Sequence, residues 1–369
     1  MKIIHCADLH LDSTLSSNYT REQAKERKNE LLMTFIRMTE YAEENQVRII
    51  LISGDLFDKK VISARARNTV YETIKKHSDI DFYYLQGNHD VSTFIDQIGE
   101  LPSNLFLFSE EWRTYDVFCA EDRKVTISGV ELSKLNSNTI YASLVLRPQD
   151  LNIVMMHGQT REYTSKNKAE EIDLGKLKNK NISYLALGHV HEYLEGVLPP
   201  AGHYCYSGCL EGRGFDEDGE HGFVLLTIDE DTFELKREFI PFAFRQIHVV
   251  EVDVTDCTTA VEMIERVKTI TDKEKWKNDL VKICLCGNVD VGCEKNTGLM
   301  EQYFADCFYY IKVKDQTQMR IDYKEYRNDK SLKGEFVRML EASTDISEEE
   351  RMDILRCGLQ VLRGEAIEL

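Results

Sequence analysis

Five short apolar segments of this chain, each of strand length, run directly into side chains of the kind that bind metal ions. In chain order the segments read KIIHC, RIILIS, DFYYLQ, LNIVMM and ISYLAL. In an open α/β sheet, ligands bind at the edge formed by the carboxyl ends of the strands. We therefore expect the side chains that follow the segments to meet at one edge. These side chains are Asp8, His10, Asp55, Asn88, His89, His157, His189 and His191.

Taken singly, each of these motifs has an ordinary explanation as a turn or a loop. Asn and Asp favour turns, and a lone histidine such as His157 is usually structural. The metal-binding interpretation depends on joint occurrence, because all five motifs follow an apolar segment. Gly54, Gly87 and Gly188 precede three of the motifs, and we interpret them as residues that give tight strand-to-loop turns their backbone freedom.

The types of donor atom narrow the choice of metal. Carboxylate, imidazole and amide donors without a thiolate favour harder divalent ions, manganese first, with iron and zinc as alternatives. Seven candidate ligands are too many for one ion that keeps an open position, and they fit two ions roughly 3.5–4 Å apart. Such a pair acidifies a bridging water into hydroxide near neutral pH and clamps a phosphoryl group for in-line attack. The sequence has no G-x-x-x-x-G-K-[ST] and no G-x-S-x-G motif, which argues against a Walker-type ATPase and a serine hydrolase.

The order of the elements predicts more than one domain. Residues 1–245 alternate apolar strands with amphipathic segments, which is typical of an α/β domain, and residues 21–45 form one such helix. Between about 203 and 240 strands follow one another, which predicts antiparallel hairpins that close a second sheet. Residues 246–325 have the pattern of a compact β-α-β-α-β module. Residues 326–369 are helical, with Asp345 or Ser347 starting the last helix and apolar stripes that pack on the protein itself or on a partner helix.

The formal net charge of −18 argues against a protein that coats nucleic acid non-specifically. It does not exclude an enzyme that acts on phosphates, because bound divalent ions invert the local sign of the charge. Basic residues near the motifs are candidates for substrate binding through phosphate contacts. An ordinary solvated surface explains them equally well. They are Lys59, Lys60, Arg65, Arg67 and Arg213.

Cysteine spacing and hydropathy bear on the compartment. The ten cysteines lack the C-x-x-C spacing, which favours free thiols in a reducing compartment over disulfides or a zinc site. No apolar stretch approaches the length of a membrane span, and the first residues lack the layout of a signal peptide. We therefore expect a cytoplasmic protein with no membrane contact.

The motifs D-x-H, GD-x-x-D, GNHD, a lone His and GH-x-H, in this order, resemble those of the calcineurin-like metallophosphoesterase superfamily. The stretches HCADLHLDS and YSGCLEGRGFDEDGEHGFVLLTID are similar to its SbcD/YhaO-type DNA repair exonuclease branch. The superfamily match covers residues 1 to about 240, and the branch-level match reaches most of the chain. The resemblance implies a two-sheet α/β/β/α sandwich over 1–245, a small α+β capping domain over 246–325 and C-terminal helices over 326–369.

The resemblance also implies a role for each site residue. His89 would be the general acid for the leaving oxygen, and Asp58 would orient it. A carboxylate partner also favours the imidazolium form, which can donate a proton. The implied metal ligands are Asp8, His10 and His191 for one ion, Asn88, His157 and His189 for the other, and Asp55 as the bridge.

Within the branch, the implied activity is manganese-dependent exo- or endonucleolytic cleavage of DNA phosphodiester bonds in DNA repair. The implied partners are DNA, an ABC/SMC-type coiled-coil ATPase (SbcC-like) and a second copy of the chain. Two alternatives stay open. The acidic composition favours a phosphodiesterase or phosphatase that acts on nucleotides or other small phosphate esters. A binding subunit with a vestigial site is disfavoured, because every ligand is present.

Overall fold

The computed structural model describes residues 1–15, 19–58, 62–90, 93–160, 171–290, 293, 295–320, 326 and 328–363. The chain forms two compact units, Met1–Gln246 and Ile247–Leu369. Within the described ranges, no helix has the length and apolar character that crossing a membrane requires. The cysteines are free thiols, as their spacing predicts.

The first unit contains, in its described part, two six-stranded sheets. The strands of the first sheet are β1 (Lys2–Cys6), β2 (Ile49–Ser53), β3 (Asp81–Leu85), β4 (Leu105–Leu107), β13 (Gly222–Ile228) and β14 (Leu235–Pro241). Their spatial order is β14-β13-β1-β2-β3-β4. Strands β1 to β4 run parallel, and β13 and β14 extend the sheet antiparallel beside β1. The carboxyl ends of β1, β2 and β3 therefore lie at the same edge.

The second sheet has a parallel centre and antiparallel edges. Its strands are β5 (Arg113–Cys119), β6 (Lys124–Gly129), β7 (Leu151–His157), β10 (Tyr184–Gly188), β11 (Leu194–Leu198) and β12 (Gly202–Tyr206). Their spatial order is β11-β12-β10-β7-β6-β5, with β6, β7, β10 and β12 parallel. A short parallel pair, β8 (Gln159–Thr160) and β9 (Glu171–Ile172), follows β7. The carboxyl ends of β7 and β10 meet at one edge of this sheet.

The helices of the first unit cover the outer faces of the two sheets. They are α1 (Arg21–Glu44), α2 (Ala64–Lys76), α3 (Thr93–Gln97), α4 (Ile140–Ser143) and α5 (Leu174–Leu177). Helix α1 confirms the helix predicted over residues 21–45. It begins after Thr20, whose side chain accepts a hydrogen bond from the Gln23 amide while the Gln23 side chain accepts one from the Thr20 amide.

The period of two along the strands sorts apolar residues into layers. Ile50 and Ile52 of β2 belong to the cluster that includes Phe35 of α1. Ile49 and Leu51 belong to the cluster between the two sheets, which also contains residues of β7 and β10. A third cluster packs the outer face of the second sheet against α4 and α5. The layers therefore run helix, sheet, sheet, helix, which confirms the predicted α/β/β/α sandwich.

The prediction that hairpins over about 203–240 close a second sheet is wrong for β13 and β14. Strand β12 does join the second sheet, between β10 and β11. Strands β13 and β14 instead form a hairpin that pairs with β1 in the first sheet. The apolar run of β13 is buried on both faces, with Phe223 facing the helices and Val224 facing the other sheet. Such an apolar pattern predicts that a strand is buried on both faces, but it does not predict which strand lies beside it.

The described elements of the second unit are, in chain order, β15 (Ile247–Asp253), α6 (Ala260–Ile270), β16 (Leu280–Cys286), β17 (Asn288–Asp290), α7 (Thr297–Phe304), β18 (Tyr310–Asp315), β19 (Gln318–Arg320), α8 (Leu332–Glu341) and α9 (Glu348–Arg363). Strands β15, β16 and β18 form a parallel sheet in the order β15-β16-β18. Ser347, and not Asp345, starts α9, because its hydroxyl accepts from the Glu350 amide at 3.2 Å. The role of this unit as a capping domain stays a prediction.

A buried ion network ties α1 to the loop after β12. Arg27 is fully buried and donates to Glu30, to Glu211 Oε1 at 3.1 Å and to the Gly212 carbonyl at 2.6 Å. Glu211 is 2% exposed and also accepts from the Thr34 hydroxyl at 2.9 Å. Buried charges are tolerated only when they are paired and hydrogen-bonded in this way. The network therefore fixes the loop that carries Arg213.

We expect replacement of Glu211 by alanine to lower the free energy of unfolding by about 3–5 kcal/mol, because it removes one of the two carboxylates that pair with the buried Arg27 and the acceptor of the Thr34 hydroxyl. Urea denaturation followed by circular dichroism measures the change. Glu72→Ala, at an exposed position of α2, serves as the control and should change stability by about 0.5 kcal/mol or less. Equal effects of the two substitutions would contradict a stabilising network.

Candidate metal centre

The seven predicted ligands come together where the carboxyl ends of β1, β2 and β3 meet those of β7 and β10. Asp8, His10 and His191 form one group, in which one donor atom of each residue lies within 4.8 Å of the others. Nε2 of His10 and Nε2 of His191 are 3.1 Å apart. Both ring nitrogens therefore point at one small volume, to which Asp8 contributes a carboxylate oxygen.

A second group forms on the side of the second sheet. Asp8, Asp55 and His157 offer donor atoms within 4.8 Å of one another. Oδ1 of Asn88 lies 3.0 Å from His157 Nε2 and 3.2 Å from His189 Nδ1. An amide oxygen, two imidazoles and carboxylates thus surround a second small volume.

Asp55 lies between the two groups. Its Oδ2 atom is 3.8 Å from His10 Nε2 in the first group and 3.3 Å from His157 Nε2 in the second. Its Oδ1 atom accepts a hydrogen bond from the backbone amide of His89 at 2.9 Å. A carboxylate in this position can contribute to both groups at once.

Backbone strain is concentrated at these positions. Asp8, His10, Asp55 and His189 have φ values of 53°, 44°, 52° and 104°. Positive φ is uncommon for residues other than glycine, and such strain clusters at functional sites. The backbone here is held in a costly conformation that turns side chains toward one another.

The glycines before the motifs act mainly by their lack of a side chain, which differs from the sequence-based interpretation for two of them. Gly54 does have positive φ, at 94°. At Gly87 and Gly188 the limit is space, since a Cβ atom would lie 2.2 Å from Asp55 Oδ1 and 2.0 Å from the Ser53 carbonyl oxygen respectively. Close packing of the loops around Asp55 therefore requires glycine at these positions.

The electrostatics of the cluster fit a pair of divalent cations. Burial raises the pKa of the Asp8 carboxyl, and burial lowers the pKa of both His10 and His189 to about 4. Burial alone would lower the pKa of His157, but the carboxylates of Asp55 and Asp8 raise it to about 10. The carboxylates thus attract positive charge, which a proton on His157 supplies in the free protein, while the rings of His10 and His189 are unprotonated and able to bind a metal ion. Divalent cations would supply that charge, with ligands of the types that manganese, iron and zinc accept.

Hydrogen bonds behind the cluster aim the histidine rings. Nδ1 of His157 contacts the Ser53 carbonyl oxygen at 2.9 Å, which directs Nε2 toward the cluster. Asp90 accepts hydrogen bonds from the amides of Leu56 and Phe57 at 3.1 and 2.9 Å and so fixes the loop that follows Asp55. These contacts hold donor atoms at fixed positions.

Glu217 is a site residue that the sequence reasoning missed. Its Oε1 atom lies 2.7 Å from His191 Nδ1 and 2.7 Å from Arg213 Nη2. Burial alone would raise the pKa of Glu217, but hydrogen bonds from His191 and Arg213 hold it well below its ordinary value. The carboxylate therefore stays ionised and fixes the ring of His191. It lies in the acid-rich stretch GFDEDGEHG, where no motif distinguishes it from its neighbours.

Asp58 and His89 form an ion pair at the rim of the cluster. Oδ1 of Asp58 lies 3.2 Å from His89 Nδ1 and 3.3 Å from His10 Nδ1, and Oδ2 accepts from the Ser13 hydroxyl at 2.7 Å. The contact with His10 adds to the expected one with His89. Hydrogen bonding to Asp58 raises the pKa of His89, whose side chain is 49% exposed. Asp58 thus favours the protonated form of an imidazole that faces solvent.

The predicted basic residues lie in different surroundings. Lys59 and Lys60 fall outside the described residues. Arg65 is exposed on α2, and Arg67 donates to Gln97 Oε1 at 2.6 Å. Arg213 pairs with Glu217 and lies 3.7 Å from Asp58 Oδ1, so its charge is balanced within the site.

The comparisons with known proteins agree with this geometry. The sequence model described as calcineurin-like phosphoesterase matches residues 1–193. The chain is 26% identical to the uncharacterized metallophosphoesterase YhaO of Bacillus subtilis, over 77% of this chain and 71% of that protein. It is 26% identical to the DNA double-strand break repair protein Mre11 of Methanopyrus kandleri, over 68% of this chain but only 59% of that protein. A protein of the same name from Saccharolobus solfataricus is 23% identical, over 96% of this chain and 94% of that protein.

A two-sheet sandwich with a cluster of carboxylate, imidazole and amide donors at its strand ends is the structure of a metallophosphoesterase. The chain belongs to the calcineurin-like phosphoesterase family, because the family model matches more than half of it. This confirms the predicted resemblance, including that to the YhaO-type branch, and the prediction of a hydrolase of phosphate esters.

We expect Glu217→Ala to weaken Mn²⁺ binding by about 10–100-fold, because the ring of His191 loses the carboxylate that fixes it. Isothermal titration calorimetry measures the affinity, and a thermal melt checks that the variant folds. The matched control is Glu220→Ala, which removes an exposed carboxylate three residues away and should bind as the wild type does. Equal affinities of the two variants would show that Glu217 does not orient a ligand.

Proposed function

We propose that this enzyme is a manganese-dependent DNA exo/endonuclease that hydrolyses phosphodiester bonds in cytoplasmic DNA repair. The observation that carries the proposal is the Asp58–His89 pair beside the cluster of seven donors, since it supplies a proton for a poor leaving group such as a sugar oxygen. Relatives named as DNA double-strand break repair proteins, which match both units of the chain, support the choice of DNA. We also propose an ABC/SMC-type coiled-coil ATPase of the SbcC-like kind and a second copy of the chain as partners.

The assignment of ligands follows the two groups of donor atoms. The first volume is defined by the 3.1 Å approach of His10 and His191. The second is defined by the contacts of Asn88 with both His157 and His189. Asp55 is within reach of both volumes. The proposed ligands are Asp8, His10 and His191 for one ion, Asn88, His157 and His189 for the other, and Asp55 for both.

When bound, two divalent cations supply an activated water as the nucleophile and neutralise charge on the phosphoryl oxygens. The protein contributes the proton. Nδ1 of His89 is held by Asp58, so Nε2 is the nitrogen left to face the substrate. The contact with Asp58 raises the pKa of His89 and so favours the protonated ring, and the exposure of the ring lets the leaving oxygen approach. His89 then donates the Nε2 proton as the bond to the leaving oxygen breaks.

The net charge of −18 supports one competing function, the hydrolysis of small phosphate esters. A phosphodiesterase or phosphatase for nucleotides needs no basic track. Comparison of duplex DNA, cyclic nucleotides and p-nitrophenyl esters at one Mn²⁺ concentration separates the two functions. Preference for DNA supports the nuclease, and preference for cyclic nucleotides or monoesters favours the alternative.

We expect His89→Ala to reduce cleavage of end-labelled duplex DNA by about 10²–10⁴-fold, because the sugar oxygen then leaves without a proton. Hydrolysis of bis(p-nitrophenyl) phosphate should fall much less, since p-nitrophenolate leaves readily as an anion. Mn²⁺ affinity should not change, because His89 is not among the proposed ligands.

His203→Ala, which removes a histidine of β12 away from the cluster, is the matched control and should retain DNA cleavage. A His89→Ala variant that loses both activities to the same extent would contradict the role of general acid. A wild-type enzyme that leaves DNA uncut, alone and with its ATPase partner, would rule out the nuclease.

The pH dependence tests the Asp58–His89 pair. The acid form of His89 is required, so the rate falls as pH rises through its pKa, which Asp58 raises. In Asp58→Asn, this alkaline limb should move to lower pH, as measured by kcat/KM for DNA at saturating Mn²⁺. Ser13→Ala removes another contact of Asp58 but keeps its charge, and its limb should move less. An unshifted limb in Asp58→Asn would contradict the pairing.

A further inference from the structure

The first two turns of α1 carry basic side chains on one face, beside a surface cavity. Arg21, Lys25 and Lys28 line this cavity of 510 Å³ together with Thr14 and Tyr19. Arg21 and Lys25 are exposed, and neither forms an ion pair with the residues that the structure describes. We call Arg21, Lys25 and Lys28 the α1 basic ridge. It is separate from the basic residues that the sequence analysis selected.

The charges of α1 are sorted by face. At about 100° per residue, the three members of the ridge fall within about 60° of one another around the helix. On the same scale Glu22 and Glu26 lie about 100° and 140° from Arg21. Glu26 approaches Arg245 at 3.8 Å, away from the ridge. One strip of the helix is therefore positive although the chain as a whole is acidic.

Helix stability does not explain this arrangement. Arg21 occupies the first turn, where the helix dipole disfavours a positive charge. Lys25 lies four residues from Arg21 and three from Lys28, and like charges at these spacings repel. The ridge thus lowers the stability of α1 in the free protein. A bound polyanion would offset both the unfavourable interaction with the helix dipole and the repulsion between the like charges.

The ridge adjoins the proposed active site through direct contacts. The hydroxyl of Tyr19 donates to the carbonyl oxygen of Arg213 at 3.0 Å. Ser13, next in the chain to Thr14, donates to Asp58 Oδ2 at 2.7 Å. The cavity wall is therefore linked to the Asp58–His89 rim through Ser13 and Arg213.

We propose that the α1 basic ridge binds the sugar-phosphate backbone of DNA that extends from the metal centre. This rests on the proposed function and supplies the basic track that the net charge had hidden. The ridge spans about 10 Å along the helix at about 1.5 Å per residue. That length matches about three successive nucleotides of one strand at about 3.4 Å each. Thr14 is exposed beside the ridge and offers a hydroxyl to the sugar-phosphate backbone of the DNA.

The test is DNA binding by the double variant Arg21→Gln/Lys25→Gln of the full chain. Fluorescence anisotropy with a labelled duplex in EDTA measures Kd without cleavage. We expect Kd to rise about tenfold at 0.1 M salt, and the slope of log Kd against log salt to fall by about two, one for each lost phosphate contact. The melting temperature should stay the same or rise, because charges that oppose the helix dipole and each other are gone.

The matched control is Lys75→Gln/Lys76→Gln, which removes the same charge from exposed positions at the far end of α2. It should leave Kd and the salt slope near the wild-type values. Equal Kd values for the two double variants, or no binding of duplex by the wild type, would contradict the proposal that the α1 basic ridge binds DNA. Wild-type protein that binds duplex but never cuts it in Mn²⁺ would contradict the nuclease function. The Kd values of the two double variants would still test whether the α1 basic ridge binds DNA.

Discussion

The structure depends on the burial of carboxylates and imidazoles against one another at a single sheet edge. Asp8, His10 and Asp55 are each about 1% exposed, and one donor atom of each lies close to donor atoms of the other ligands. Taking such groups out of water costs several kcal/mol per charge unless an opposite charge compensates. Divalent cations bound at this edge would provide that compensation. The positive φ values and the glycine contacts around Asp55 have the same origin, since they hold these groups close together.

The fold supplies the edge, and a second set of residues sets the direction of each ligand. Parallel strands in two stacked sheets bring five loops to one place. Ser53, Asp90 and Glu217 then fix the rings of His157 and His191 and the loop after Asp55 through hydrogen bonds. Arg27 and Glu211 anchor the loop that carries Arg213 to α1. The chemistry at the rim therefore relies on contacts deep in the first unit.

The seven donors were predictable from the sequence because each one directly follows an apolar strand, and strand ends in an α/β sheet share an edge. The same rule could not find Glu217, which follows no strand and lies among other acidic residues. The place of β13 was mispredicted because the sequence of a strand buried on both faces does not identify the strand with which it pairs. The sequence analysis did not find the α1 basic ridge, because its basic residues alternate with glutamates along the chain. The two charges separate onto different faces only when the segment is placed on a helix.

The central claim is that these side chains hold two cations that share Asp55. Crystals of the protein grown with Mn²⁺ and measured for anomalous scattering test it most directly. The account predicts two anomalous peaks, one beside His10 and His191 and one beside His157 and His189, with Asp55 in contact with both. No peak, or a single peak that Asp55 does not touch, would contradict it.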